Sequence, residues 1–393
     1  MASLYDRILH RNFNRFPGKL LFVWGLKCRS LFFFLRNFFG NLVRSGRRHS
    51  LKLSERMRIL TIRTDRIGDI VLSTPALRAL RLQFPLATID YVVQKKYAAI
   101  LNCFEGWNSV YPVDSSDAGQ LKKLGKELAL RHYDAVVVEH PAAYAYNLAR
   151  DAKGACTIGW KAKGYGYRLD IGFTDDRTVA LRHQVENNLL LFSPFGVTDS
   201  SPEFPVKETE TGRKEFNSFR SRFGIVPGDR LLAMHPGSYS PRVRWSPAKF
   251  ALLADRALDY GLKPVLFGSE SDREVIEQVL CAAAIKPIVT IGEFGLEGLI
   301  SFLKNSVAFV GNSTGPMHIA ASTGIWTIAI FGSRYPMDSL DLWKPWGKKG
   351  IVVAARNCRC KECIPWVCKD MECLSSITVD DVWDALTAAL ARN

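Results

Sequence analysis

Residues 58–85 read RILTIRTDRIGDIVLSTPALRALRLQFP. Residues 58–63 form a short β-branched and apolar run, Gly68 and Asp69 interrupt the chain, and a helical stretch with Pro75 in its first turns follows. That order predicts a strand, a loop and a helix. The same unit recurs: residues 88–93 and 135–139 are further strand candidates with helical segments between them, the alternation of an α/β domain with a parallel sheet. Around residues 196–230 the pattern lapses into Pro, Ser, Gly and charge, and a second series then begins at 231–234, 264–267, 288–291, 308–310 and 327–331. Two doubly wound domains in succession place the loops at the carboxyl ends of both sheets around a shared cleft. The expected division is an N-terminal extension over 1–56, a first domain over 57–205, a connection over 206–229 and a second domain over 230–393.

Composition agrees with that plan. At 393 residues, 47% hydrophobic and 23% charged, the chain has ordinary globular usage, and about 100–200 residues per domain gives each half a core of its own without disulfides. The net charge of +15 is unevenly spread: residues 1–52 hold eleven Lys and Arg against the single acid Asp6, a net +10 there and +5 over the remaining chain. Within this segment residues 20–43 are rich in Leu, Phe and Trp, but Lys27, Arg29 and Arg36 break the run. It is too interrupted for the ~20 apolar residues of a spanning helix, and no small-residue cleavage site follows, as a secretory signal requires.

At about 100° per residue, Leu21, Trp24, Cys28, Leu31, Leu35, Phe38, Phe39 and Leu42 share one side of a helix, with Arg29, Arg36 and Arg44 opposite and Phe33 breaking the pattern. Such a helix suits an anionic membrane surface. The alternative is a helix packed on the protein's own body with its basic residues in water. Nucleic acid is disfavoured, because no recognition-helix, zinc-finger or RNA-binding signature accompanies the charge.

Four loops carry candidate chemistry. Asp69 sits where a strand end meets the cleft, either as a general base for a hydroxyl or as a cap of the following helix. In HPGSYSPRVRWSPAKFALLADRAL, from His235, the loop presents Arg242 and Arg244, which either pair with phosphate oxygens or stand exposed. In FVGNSTGPMHIAASTG, from Phe309, an apolar strand runs into a helix start at Ser313, Thr314, Gly315 and Pro316. Its free N–H groups and dipole suit a phosphate, and Gly315 allows close approach. His318 on the first turn is either a substrate contact or a satisfied structural histidine. In GSESDREVIEQV, from Gly268, Glu270 and Asp272 either bond ribose hydroxyls or cap a helix.

No Walker loop, no dinucleotide G-x-G-x-x-G after the first strand and no HExxH is present. That argues against an NTPase, a Rossmann dehydrogenase and a metalloprotease. Cys358, Cys360, Cys363, Cys368 and Cys373 cluster near the C-terminus, where a zinc site, disulfides and reduced thiols all stay open.

Taken together and in order, these motifs resemble glycosyltransferase family 9, the ADP-heptose:lipopolysaccharide heptosyltransferases and their relatives. The likeness runs from about Arg58 to the C-terminus. It covers the Gly-Asp helix start, HPGS with RWSPAKFALLA, GNSTGPMHIAAS, RHQVENNLLLFSPFGV from Arg182, and the late Cys cluster followed by LSSITVDDVWDAL.

The resemblance implies a GT-B architecture, with acceptor mainly on the first domain and nucleotide-sugar donor mainly on the second. It implies inverting transfer without a metal or other cofactor, from ADP-heptose or another nucleotide diphosphate sugar to a lipid-linked saccharide. Asp69 matches the family's proposed base, with Gly68 and Arg66 on the acceptor side. Arg242, Arg244, Glu270, Asp272, Ser313, Thr314, Gly315, Pro316, Met317 and His318 fall on the donor side.

Two positions depart from the pattern: heptose-transferring members commonly have Asp at Ser313 and Lys at Val243. A non-catalytic or differently specific nucleotide-sugar or saccharide binder of the same fold is the alternative reading. The setting implied is cytoplasmic, peripheral on the inner face of the cytoplasmic membrane.

Overall fold

The computed structural model describes residues 31–37, 49–175, 182–198, 202–239, 243–332, 339–355 and 371–392. Arg242, Cys358, Cys360, Cys363 and Cys368 lie outside them, as does most of the basic extension.

The first strand series forms a six-stranded parallel sheet from β1 (Arg58–Arg63), β2 (Thr88–Gln94), β3 (Ser109–Val113), β4 (Ala135–Val138), β5 (Cys156–Trp160) and β6 (Ile171–Phe173), in the order β3-β2-β1-β4-β5-β6. The second forms another from β7 (Leu231–His235), β8 (Lys263–Gly268), β9 (Ile288–Ile291), β10 (Ser306–Asn312), β11 (Trp326–Phe331) and β12 (Gly350–Ala354), in the order β12-β11-β10-β7-β8-β9.

Helices of the first half are α1 (residues 31–37), α2 (Ile67–Gln83), α3 (Ala118–Ala129), α4 (Ala143–Asp151), α5 (Gln184–Phe192) and α6 (Glu210–Arg222). Those that follow are α7 (Pro247–Asp259), α8 (Arg273–Ala282), α9 (Leu296–Lys304), α10 (Gly315–Ser322), α11 (Leu340–Trp343), α12 (Glu372–Ser375) and α13 (Val379–Leu390). The stretch 206–229, expected as the connection, carries α6.

Apart from the edge strand β9, whose apolar IVTI is only partly buried, the strands legible in the sequence are those buried on both faces. β4 reads AVVV and is buried throughout, as a strand covered by helices on each side must be. Leu60, Ile62, Val136 and Val138 pack with Leu124 and Leu128 of α3 and Tyr146 of α4. Strands β3, β5, β6 and β12 carry no comparable signal. Their sequences SVYPV, CTIGW, IGF and GIVVA contain Pro or Gly and lie at or next to the sheet edges, where Pro and Gly are tolerated and one-sided burial removes the continuous apolar run.

On the opposite face of the first sheet, Ile59, Tyr91 and Val137 belong to one continuous cluster with Phe267, Phe302, Phe309 and Met317 of the second half. The two domains therefore share an apolar contact. The polar part of the boundary includes the Asn102 Nδ2 bond to Glu297 Oε1 at 2.8 Å. It also includes His183, whose Nε2 meets the Lys344 carbonyl at 2.8 Å and whose ring stacks on Trp346 with centroids 4.7 Å apart.

The N-termini of α2 and α10 also approach each other closely. A Cβ on Gly68 would stand 2.8 Å from His318 Cδ2, and one on Gly315 would stand 2.5 Å from Ile67 Cγ2. The space that Gly315 leaves, which the sequence suggested for a ligand, is occupied in this structure by Ile67. Gly315→Ala is therefore expected to force the helices apart at an overpacking cost of about 1–3 kcal/mol. Chemical denaturation should record that loss, and Ile67→Ala in the same chain should recover most of it; equal stability of Gly315→Ala and wild type would show that the contact yields freely.

Candidate active site

Strand β1 ends in Arg63, a guanidinium with 1% exposure. The chain turns through Asp65 and enters α2, which brings Asp69 back over it. Arg63 Nη2 lies 2.7 Å from Asp69 Oδ1 and Nε lies 2.9 Å from Asp65 Oδ1. Nη1 donates to the Glu139 carbonyl at 3.4 Å and to Asn188 Oδ1 at 3.3 Å, and stands 3.9 Å from Glu139 Oε2. Burial opposes the charge on Arg63, but Asp65, Asp69 and Glu139 outweigh it and raise its pKa.

Asp69 is not the N-cap of α2. That position is Arg66, whose side chain makes no capping bond. Asp69 lies in the first turn, its side chain 12% exposed, where a carboxylate also suits the helix dipole. Such a carboxylate, oriented by an ion pair at a cleft, can accept a proton from a hydroxyl. Arg66 reaches across the cleft instead, its guanidinium 5.5 Å from the ring centre of Tyr239.

Glu139, at the end of β4, is fully buried and accepts from Thr61 Oγ1 at 2.6 Å. Burial pushes its carboxyl from 4.5 up to about 7, with Arg63 pulling partly the other way.

On the facing domain, β10 ends at Asn312, which is fully buried. Its Nδ2 donates to the carbonyls of Pro236 and Gly237 at 2.9 and 3.2 Å, and its Oδ1 accepts from Trp245 N at 2.8 Å. One amide thus fastens the 236–245 loop to the neighbouring strand end. Trp245, fully buried, donates from Nε1 to the Ile377 carbonyl and anchors the far side of that loop. Arg244 is held at its base, Nη2 donating to the Ser238 carbonyl at 3.1 Å, while its buried Nε has no hydrogen-bond partner.

Helix α10 starts at Gly315 with Thr314 as N-cap, whose side chain makes no capping bond. Ser313, Thr314, Gly315 and Pro316 are half-buried beside the cleft, whereas Met317 points into the core with 0% exposure. His318 is buried, its Nδ1 unpartnered. Burial, with His183 nearby, pulls its pKa down to about 3, and burial takes His183 down to about 4. Both imidazoles are therefore neutral near pH 7. His318 can offer a hydrogen bond to a ligand but no charge, so positive potential on this side comes from the helix N-terminus and from arginine.

Asp272 closes a capping box with Ser269 and faces His235 Nε2 at 3.7 Å. Despite partial burial, the bonds from His235 and Ser269 hold its carboxyl near 2. Glu270 forms a two-point pair with Arg273 at 2.9 Å in solvent. Among the described residues no group of three His, Cys, Asp or Glu is placed to hold a metal. Cys373, the described member of the late cluster, is half-buried in α12.

Of the candidate residues, Arg242 lies outside the described residues, Met317 in the core and Glu270 in solvent, while Gly68 and Arg66, beside Asp69, meet His318 and Tyr239 across one cleft between two sheets. Arg63, Glu139, Asn188 and Asn312 complete it but were not singled out from sequence. The available signal for Arg63 was a charge ending an otherwise apolar strand.

Two Rossmann-like domains meeting at their strand ends, with an acid on one side and a helix N-terminus on the other, define a GT-B sugar-transferring enzyme. Residues 121–372 match the profile of Glycosyltransferase family 9 (heptosyltransferase), and the chain belongs to that family. Lipopolysaccharide heptosyltransferase 2 of Escherichia coli K12 is 25% identical over 322 residues, covering 76% of this chain and 88% of that protein. The crystal structure of a family 9 glycosyl transferase from Veillonella parvula superposes with a TM-score of 0.78 at 24% identity, covering 88% of this chain and 100% of the other. The E. coli ADP-heptose lps heptosyltransferase II structure superposes at 0.70 with 22% identity, covering 86% and 99%.

The buried carboxyl of Glu139 makes a specific prediction. A raised pKa means that the native state favours the protonated form, so Glu139 contributes most below about pH 4.5 and that contribution is lost as pH rises through about 7. Glu139→Gln cannot ionise. Its stability relative to wild type should therefore rise between about pH 5 and pH 7.5, by up to about 3 kcal/mol, in urea denaturation at both values. A difference independent of pH would place the ionisation of Glu139 outside this window.

Proposed function

We propose that this glycosyltransferase moves heptose from ADP-heptose to a lipid-linked saccharide such as the lipopolysaccharide core, with inversion and without a metal. The carrying observation is the pairing of Asp69 with buried Arg63 at the strand end facing the α10 N-terminus. The names of the relatives support the sugar and the acceptor.

Asp69 takes the proton of the acceptor hydroxyl as the oxygen attacks the anomeric carbon. The bond to the leaving diphosphate breaks on the opposite face, and the developing charge is met at the start of the helix, beside Ser313 and Pro316, by the backbone N–H groups of Thr314 and Gly315, and by Arg244 and Arg242. His318 Nδ1 supplies a neutral hydrogen bond. Glu270 and Asp272 lie on the donor side, Gly68 and Arg66 on the acceptor side. Met317 acts only through the packing of α10. The enzyme works in the cytoplasm, peripheral on the inner membrane face, which residues 1–52 reach through their basic and apolar side chains.

Asp69→Asn retains the shape of the site and an acceptor for Arg63 but has no basic carboxylate. Its turnover is expected to fall by about 10²–10⁴ while ADP-heptose still shifts its melting temperature; undiminished turnover would remove Asp69 as the base. Arg244→Ala should weaken ADP-heptose binding by about tenfold or more, measured by calorimetry, and an unchanged Kd would move the phosphate contact elsewhere. A thermal-shift panel of ADP-, UDP- and GDP-sugars tests the donor, and the anomeric configuration of the product by NMR tests inversion.

A further inference from the structure

Helix α1 sits on the corner between β5 and β6, with its faces turned opposite to those of a helix packed for burial. Phe33, Arg36 and Asn37, one helical face, are half-buried against the body. Leu31, Phe32, Phe34 and Leu35 point outward with 58%, 58%, 65% and 40% exposure.

The seat is built by the body. The Arg36 guanidinium stacks 3.7 Å from the ring centre of Tyr165, which also stacks on Tyr146. Gly164, at φ +71°, leaves room for the helix backbone, since a Cβ there would lie 2.4 Å from the Phe33 carbonyl.

Beside the outward apolar face stand the exposed Lys161 and Lys163. Together with Phe33, Phe34 and Asn37 they line a cavity of about 320 Å³. On the inward face of α1, Arg36 Nε and Nη2 and Asn37 Oδ1 are buried without hydrogen-bond partners. Apolar side chains flanked by lysines match a bilayer that carries negative headgroups, because the rings and leucines enter the acyl boundary while the ammonium groups stay among the phosphates. Among the described residues no helix is long and apolar enough to cross a membrane, so contact at this face is interfacial.

We propose that α1 and the 161–168 loop form a single docking face for an anionic phospholipid bilayer, and that this face orients the active site toward it. The inference rests on the membrane-peripheral reading above and extends it from the basic leader to the catalytic body. All strands of the first sheet are parallel, so the loop after β5 emerges at the same edge as the loop after β1 that carries Asp69. Two strand spacings, about 10 Å, separate those strand ends. A saccharide on a lipid anchored in the bound bilayer then reaches the Asp69 side of the cleft without its lipid leaving the membrane.

Full-length protein is sedimented with mixed phosphatidylglycerol and phosphatidylcholine vesicles and with phosphatidylcholine alone. Wild type should bind the mixed vesicles strongly and the neutral ones weakly. The variants Lys161→Glu with Lys163→Glu, and Phe32→Ser with Phe34→Ser, should each lose about tenfold or more of the affinity for mixed vesicles. Both should keep wild-type melting temperatures and wild-type transfer to a detergent-free, delipidated acceptor, and lose transfer to the same acceptor embedded in vesicles. Wild type that binds, with variants that bind and transfer equally well, overturns this face while leaving the leader as the membrane contact. Wild type that fails to bind mixed vesicles overturns the membrane reading itself.

Discussion

The Arg63 guanidinium is the point on which the first half of the active site depends. It ends the central strand of its sheet, is nearly inaccessible to water, and meets Asp65, Asp69, Glu139 and Asn188 from four segments of chain. A buried cation is tolerable only where its charge and its donors are answered. The planar, five-donor shape of arginine lets one group answer several partners at once. The arrangement leaves Asp69 oriented while one carboxyl of the set, Glu139, is held close to neutrality by burial.

The second half is organised by a different device. Asn312 ties the loop after β7 to the end of β10 with three hydrogen bonds, so that Arg244 and the start of α10 come from separate strands but keep one spacing. The two halves meet where neither Gly68 nor Gly315 has a side chain. Helix N-termini approach each other poorly, since both carry partial positive charge. Asp69 in one first turn and neutral, buried His318 in the other reduce that conflict, and the field left over favours a negatively charged ligand between them.

Much of this was legible in the sequence because burial on two faces writes itself as continuous apolar strands. The runs at 58–63 and 135–139 and the Gly315-Pro316 helix start stand where their local chemistry put them. Edge strands such as SVYPV and IGF did not announce themselves, and α6 was hidden in a stretch with Pro and Gly at its flanks and Gly212 in its own first turn. Glu139 looked like the last residue of a strand, and Asn312 like one polar letter in a helix-start motif. Their roles depend on partners 78 and 76 residues away, Thr61 and Pro236, and no local window contains those pairs.

By itself, then, the sequence determined the alternation of strand and helix, the two-domain plan, the acid at the first helix start and the basic, aromatic character of the leader, because each follows from neighbouring residues. Only the tertiary structure decided which groups share a charge, which glycine makes room for which helix, and which way α1 turns its apolar side. Those are matters of distance between segments remote in the chain, set by how two sheets and the helices around them pack.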